Sequence, residues 1–497
     1  MIFLLDNKYK QMTISEHTKL YDLIIPQNHF LRKLKENVDF SFVNKLVENE
    51  YSKTFGRPAN EPELMFKLLF LQKKDDLSDR EVIERAKTDM SYKFFLDLNP
   101  EDNLVCASML SIFRTTKIKD EEILEEMLKE TVKQALEKGL IKSNSIIVDA
   151  THSQSKAVKR TPTQILREMT KNLRKEIYRN NPEIKEKFPN KPSDEETLDK
   201  EIQYTKELIE IIKNELKGEN RSQKITNKIK GIEEILESDK IKEIQSASDQ
   251  DAKQGYKSET NEFFGYKNHL AMTEDRIITG IEVTTGEAPD GKYLETLVEK
   301  SEKSGIKVKE VIGDRAYSGR NNLKYGKKRK IKIVSTINAV ISRAGNLKEG
   351  FDYIKDTDTL RCPAGHLAID KTYRNECLKE GGIRNATIEY KFDEQHCKEC
   401  PYGNICKLKK QKHKTYMMSL MNHIYKEQKE FQETEYFKQK IRYERYKIEA
   451  KNNELKGTHG LCKAKSMGLS MMRVQTYLTC ITVNIKRIMK LMEQQLA

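Results

Sequence analysis

Apolar positions along the chain change their spacing several times, and each change predicts a different kind of element. Over residues 41–142 they recur at helical intervals: Phe42, Leu46 and Val47, then Leu64, Met65, Leu68, Leu69 and Leu71 behind Pro62 and Glu63, which suit a first helical turn. Ser78 and Glu81 have the spacing of a capping box. The segment SMLSIFRTTKI puts Met109, Ile112 and Phe113 on one face and turns Arg114 and Lys117 outward. Residues 1–142 therefore read as an all-α domain. It is either a helix-turn-helix module touching DNA, with Arg114 as a contact, or a bundle that packs on the next domain.

The pattern then becomes β. SIIVDATH has a fully apolar run, Ile146 to Val148, that ends at Asp149, which predicts a first core strand within 143–159. From 160 to 245 helical spacing returns in a Lys/Glu-rich setting, with Leu208, Ile211, Ile212 and Leu216 three and four apart and Asn190, Lys191 and Pro192 as a break. This predicts an insertion of several helices with a structural or partner-binding role. Strands resume over 246–345: FFGYKNHLAM, a Glu274-Asp275 turn, RIITGIEVTTG, a helix from Leu294, Leu297 and Val298, then KVKEVIGDRAYSG and KIKIVSTIN. The order β, insertion, β, β, α, β, α, β predicts a mixed α/β sheet. In KVKEVIGDRAYSG the strand carries Asp314 to its tip, so two strands end in an aspartate.

Composition narrows the function. The 497 residues are 37% hydrophobic and 34% charged, with a mean hydropathy of −0.75, as expected for long exposed helices beside a core. A formal charge of +14 points to a polyanion partner, nucleic acid first, against plain solubility. Seven Lys and Arg lie in GRNNLKYGKKRKIKI, among them Lys327, Lys328 and Arg329, close beyond Asp314 and Arg315, where a phosphate backbone would pass. The apolar start MIFLLDNKYK is too short for a signal peptide, and no stretch has the apolar length of a membrane span, so a cytoplasmic, nucleoid-associated protein is expected.

Eight cysteines in so long a chain do not make a disulfide scaffold. Five of them, Cys362, Cys377, Cys397, Cys400 and Cys406, fall in a small insert over 346–410. Cys397-x-x-Cys400 has knuckle spacing. With Cys362 and Cys406 these thiols are either ligands of a structural zinc or unmetallated, and His366 stands close to Cys362.

A third acid comes from the C-terminal segment 411–497. Tyr436 to Lys456 contains no Gly or Pro and is followed by Gly457, a helix stop. At about 100° per residue, Arg445, Glu449 and Lys456 share a face, and Glu454 points away. Asp149, Asp314 and Glu449 would repel one another if they converged, unless a hard cation, Mg²⁺ or Mn²⁺, joined them.

The spacing Arg445-x3-Glu449-x6-Lys456, with VDATH around Asp149 and VIGDRAYSG around Asp314, resembles the DDE transposases of bacterial insertion sequences. It looks like the branch with a helical N-terminal domain and a cysteine-bearing insert before the last acid. The likeness runs from about Tyr21 to Met492 and includes FFGYKNHLA and TVNIKRI. It implies a ribonuclease H-like core, with Asp149, Asp314 and Glu449 as metal ligands and Arg445 and Lys456 on transposon-end DNA. The activity implied is cleavage of the element's ends and joining of the 3′-OH to target DNA by two-metal phosphoryl transfer, carried out by a homo-oligomer, a dimer on DNA. One departure is Arg442, with Tyr443 beside it, where the family often has a Tyr three residues before the Arg. Alternatives are a metal-dependent endonuclease without strand transfer, a catalytically inactive DNA-binding protein, and an assembly protein acting through 160–245.

Overall fold

One mixed sheet organises the protein. Its strands are β1 (Ser145–Gln154), β2 (Lys253–Ser258), β3 (Asn261–Thr273), β4 (Ile278–Thr285), β5 (Glu310–Ile312) and β6 (Lys332–Val334). They lie in the order β4, β3, β1, β5, β6, with β2 also on β3. β3 is antiparallel to β1, β2 and β4, whereas β1, β5 and β6 run parallel. The parallel half needs crossovers, and the helix Arg320–Arg329 supplies the one between β5 and β6. The computed structural model describes residues 3–4, 15–52, 57–193, 197–216, 222–237, 241, 244–258, 261–337, 350–354, 357–375, 377–379, 382–384, 386–402, 406, 411–419 and 422–496. The boundary placed between 345 and 346, and the last residue of KIKIVSTIN, lie outside these.

Two features of the sheet differ from the sequence reading. β1 does not end at Asp149 but continues to Gln154, because β3 keeps pairing with it as far as Gly265. β2 comes from KQGYKS, a polar stretch with no apolar run to announce it. Its Gly255 is needed for contact, since a Cβ there would lie 2.1 Å from the carbonyl oxygen of Gly286.

The N-terminal helices pack on this sheet through a shared core. The capping box of Ser78 and Glu81 forms at the start of Asp79–Thr88, and Pro62 opens Pro62–Lys74. The C-terminal helix Leu469–Leu496 lies against β4 and against the helices Pro62–Lys74 and Glu121–Glu137. Leu68 and Val132 from the helical domain, Ile146 and Ile281 from the sheet, and Val483 from the last helix belong to one buried cluster. The helices of this region thus pack on the next domain. Arg114 is not turned outward: it is mostly buried and holds both oxygens of Asp79, at 2.9 and 2.5 Å. Asp79 in the first turn of its helix offers a charge-assisted, bidentate partner. Lys117 is likewise drawn in, over the ring of Tyr51.

Among the described residues the insertion over 160–245 holds the α-helices Pro162–Asn180, Leu198–Glu215 and Gln223–Glu237, with a 3₁₀ segment Pro182–Lys187 between the first two. They bury Leu173, Leu208, Ile212, Ile225 and Ile229 in a core of their own. The cysteine-bearing insert has a three-stranded antiparallel sheet, Asp370–Arg374, Thr387–Lys391 and Thr415–Ser419. Thr415–Ser419 had been grouped with the C-terminal helices, but its alternation of buried Tyr416 and Met418 with exposed Met417 fits a strand with one face on the insert's core. The single helix expected over 436–456 is in pieces, Glu435–Tyr443, Tyr446–Asn453 and a π-helical turn Glu454–Thr458. Gly457 lies inside that turn. Buried Leu455 anchors it, and the Leu461 amide donates to the Leu455 carbonyl at 3.0 Å.

Candidate active site

The register between β1 and β5 brings the two aspartates together. Their pairing reaches Ile147 opposite Ile312, so Asp149 and Asp314 each follow the same pair by the same short step on adjacent parallel strands. Gly313 allows this closeness: a Cβ there would lie 2.8 Å from the Tyr317 ring and 3.0 Å from Val148 Cγ2. Past β5 the chain turns, with Asp314 as the N-cap of Arg315–Ser318. Its Oδ1 accepts the Ala316 amide at 2.9 Å, and its carbonyl accepts the Ser335 hydroxyl just beyond β6. Asp314 is thus a strand-tip acid, as read from the sequence, while Asp149 sits mid-strand.

Both carboxyls are held above the usual range. Burial pushes Asp149 up to about 7, and the charges of Asp314 and Asp290 add to this against the Ala150 amide and Arg445. Burial also raises Asp314, with Asp290 adding and the Ala316 amide, Arg445 and Lys267 opposing. The Tyr317 hydroxyl is buried near Asp149, Asp290 and Asp314 and has no hydrogen-bond partner among the described residues. Both acids resist ionisation first through burial, and both feel the charge of Asp290, a strain that a cation would relieve.

The third acid arrives on Tyr446–Asn453, which packs against β1. Asn452 of this helix donates to Asp149 Oδ2 at 2.8 Å, and its own Oδ1 is buried without a partner among the described residues. One turn earlier, the Glu449 side chain is 58% exposed and lies 3.6 Å from Arg445, whose charge also acts on both aspartates. Glu454 points elsewhere, to Lys451 and Lys486, as helical geometry required. Lys456 Nζ lies 3.4 Å from His152 Nδ1, on the strand that bears Asp149. Among the described residues no three His, Cys, Asp or Glu side chains form a ready-made metal shell. The structure therefore sets Asp149 near enough to Asp314 to feel its charge and brings in the helix of Glu449 through Asn452 and Arg445, with the Glu449 carboxylate facing solvent.

Of the basic residues, Arg315 and Lys328 are exposed. Lys327 pairs with Glu427 at 3.1 Å and Arg329 with Glu302 at 2.8 Å. Cys362, Cys397, Cys400 and Cys406 line one cavity, and all are free thiols. The side chain of Cys377 lies outside the described residues.

Sequence reasoning missed Asp290, Lys267, Tyr317 and Asn452. Lys267 holds Asp290 Oδ1 at 2.8 Å and the Ala288 carbonyl at 2.8 Å. The turn Asp290–Tyr293 presses on the Asp314 turn: Asn322 donates to the carbonyls of both Gly291, at 2.8 Å, and Tyr317, at 3.0 Å. APDG reads as ordinary turn chemistry, which concealed Asp290, and nothing marks Asn452 among the polar residues of its helix. A Cβ on Gly291 would lie 2.1 Å from the Ala316 carbonyl oxygen. Gly291→Ala is therefore expected to push the two turns apart, costing about 1–3 kcal/mol of stability. Denaturant unfolding of the variant and the parent chain measures this.

A mixed α/β protein whose neighbouring parallel strands bring two half-buried aspartates close together belongs to a class that can hold a hard cation. Comparison with known families agrees in kind. A family described as a transposase domain (DUF772) matches residues 19–116, and one described as a transposase DDE domain matches 361–489. Both matches support a DDE transposase of an insertion-sequence family. It is also 36% identical over 93 residues to a Rhizobium meliloti protein described as uncharacterized protein ORF8 in the nfe locus. That stretch covers 18% of this chain and 44% of the relative, less than half its length. Among the described residues no helix is long and apolar enough to cross a membrane.

Proposed function

We propose that the protein cuts DNA at the ends of its own mobile element and joins the freed 3′-OH to target DNA. The observation that carries this reading is the pair of half-buried aspartates, Asp149 and Asp314, each two residues beyond the last register pair, Ile147 and Ile312, of adjacent parallel strands. A mixed sheet with this pair, and a third acid on a later helix, is what a ribonuclease H-like core requires. The donor set fits Mg²⁺ or Mn²⁺, being all hard oxygen, and the unpartnered Oδ1 of Asn452 stands beside it. Asp149 and Asp314 would hold the ion, and Glu449 would complete the set from its helix. When bound, such ions stabilise the attacking and leaving oxygens of an in-line displacement at phosphorus.

The chain's own groups set up that reaction. Asp149 must lose its proton to act as a ligand, and Arg445 favours the ionised form of both aspartates. Asn452 fixes the orientation of the Asp149 carboxylate. Arg445, Lys456, Arg315 and Lys328 offer charge to the phosphate backbone of duplex DNA, and Lys327 and Arg329 would join them by exchanging their carboxylate partners for phosphates. Arg114, paired with Asp79, is better suited to holding the helical domain together. Two such subunits would act on paired element ends at the nucleoid.

A strand-transfer assay with pre-cut ends from the DNA flanking the coding frame tests this reading. Joined product in Mg²⁺ or Mn²⁺ is expected. Hydrolysis with no joined product would make the protein a metal-dependent endonuclease, and binding with neither would leave a DNA-binding protein.

A further inference from the structure

We propose that the cysteine-bearing insert is built around a zinc ion held by the thiolates of Cys362, Cys397, Cys400 and Cys406. These four side chains come from two chain segments well apart in sequence, yet they line a single cavity of about 30 Å³. A water-sized occupant needs roughly 10–15 Å³ by the same measure, so one ion has room. None of the four is in a disulfide.

The backbone around them is arranged as a metal knuckle would need. Cys362 opens a tight turn in which its amide donates to the His366 carbonyl at 2.9 Å and the Gly365 amide donates to the Cys362 carbonyl at 2.8 Å. Gly365 takes φ +86, a left-handed conformation that suits glycine. Cys397 lies on the short helix Glu394–Lys398, and Cys400 follows one turn on. The Cys397 sulfur accepts the Lys414 amide at 3.5 Å. Lys414 also donates through Nζ to 2.5 Å from the Cys406 carbonyl, which places a positive charge beside the sulfurs. His366 and His396 stack 4.3 Å apart and wall the cavity.

Energetics give the ion a purpose. The insert's core, around Phe351, Leu360, Tyr390, Phe392 and Tyr416, is separate from the main one, and a unit this small gains much from a staple. Tying Cys362 to the 397–406 segment would close the insert on itself. The thiols are not at coordinating distance from one another among the described residues, so binding would draw their side chains inward, as it does where metal binding is coupled to folding. Soft thiolates select zinc over magnesium, so this site and the hard-oxygen site would not compete for the same ion.

The test is elemental analysis of the untagged full-length protein, expressed with zinc in the medium and freed of loose metal by gel filtration. About one zinc per chain is expected, with sulfur neighbours near ~2.3 Å by X-ray absorption. A Cys397→Ser, Cys400→Ser double variant should lose the metal. If it does not fold, a mercurial thiol reagent titrated into the native protein should release zinc to a chromophoric chelator in step with thiol modification. Zinc well below one per chain, a first shell of oxygen and nitrogen, or zinc that survives thiol modification would overturn the proposal. Asp149→Ala and Asp314→Ala should keep the zinc, so this result stands or falls apart from the DNA chemistry.

Discussion

Asp149→Asn, Asp314→Asn and Glu449→Gln are each expected to lower metal-dependent DNA cleavage by on the order of 10³-fold, the scale on which the loss of one preorganised electrostatic group is felt. The substitutions keep shape and remove charge, so packing changes little and the loss reports on the carboxylate. For the aspartates the reason is direct, because adjacent parallel strands carry them to neighbouring positions and Asp149 feels the charge of Asp314. Glu449 is the sharper case. Its side chain is 58% exposed and faces Arg445, the arrangement of an ordinary surface pair worth a few tenths of a kcal/mol. A surface pair would leave the cleavage rate almost unchanged on conversion to Gln, whereas a metal ligand would not. Glu454→Gln is the matched control on the next turn, since Glu454 is held by Lys451 and Lys486 away from the aspartates. Cleavage rates of the four variants in Mg²⁺, with binding to the same duplex measured separately, decide the matter.

The second large effect is on stability and has a definite sign. The Asp149 carboxyl titrates near 7 in the folded chain against an ordinary value of 3.8. Between those values the folded protein holds a proton that the unfolded chain has released, so this group's contribution to stability falls as pH rises from about 4 to about 7. Above that window the ionised form sits buried near Asp314 and Asp290, at a cost on the order of a few kcal/mol. In magnesium-free buffer Asp149→Asn should therefore melt several degrees higher than the parent chain at pH 8, and the gain should vanish near pH 4. Added Mg²⁺ should stabilise the parent at pH 8 and leave the Asn variant unmoved, because an ion that binds only the folded state adds stability by mass action. Calorimetric melting across pH, with and without Mg²⁺, measures both.

Much of this site was legible in the residues because strands reveal themselves by apolar runs. Ile146 to Val148 and Val311 to Ile312 marked two buried strands, and the polar residue soon after each run was an aspartate. What the runs could not supply was register. The sequence reading stopped both strands at their acids, but the length of β1 is set by its partner β3, a long-range pairing that leaves no local mark. Glu449 was distinguished from Glu454 by helical angle alone, and this survived a break in the helix because the two lie on either side of one turn. The π-helical turn at Glu454–Thr458 was hidden, since Gly457 looks the same in a turn as after one. Arg114 was misread for a different reason. Amphipathic spacing says which side is apolar, but not whether a neighbouring helix will offer a carboxylate such as Asp79 to pull the charge inward.

Manganese binding at the aspartate pair tests the central claim most directly. Mn²⁺ titrated into the full-length protein at pH 8, in the presence of an element-end duplex and followed by electron paramagnetic resonance, should show ions bound to the parent chain and lost in both Asp149→Asn and Asp314→Asn. Equal binding by the parent and both variants, or no binding by any of them, would contradict the assignment of Asp149 and Asp314 as the metal-holding acids.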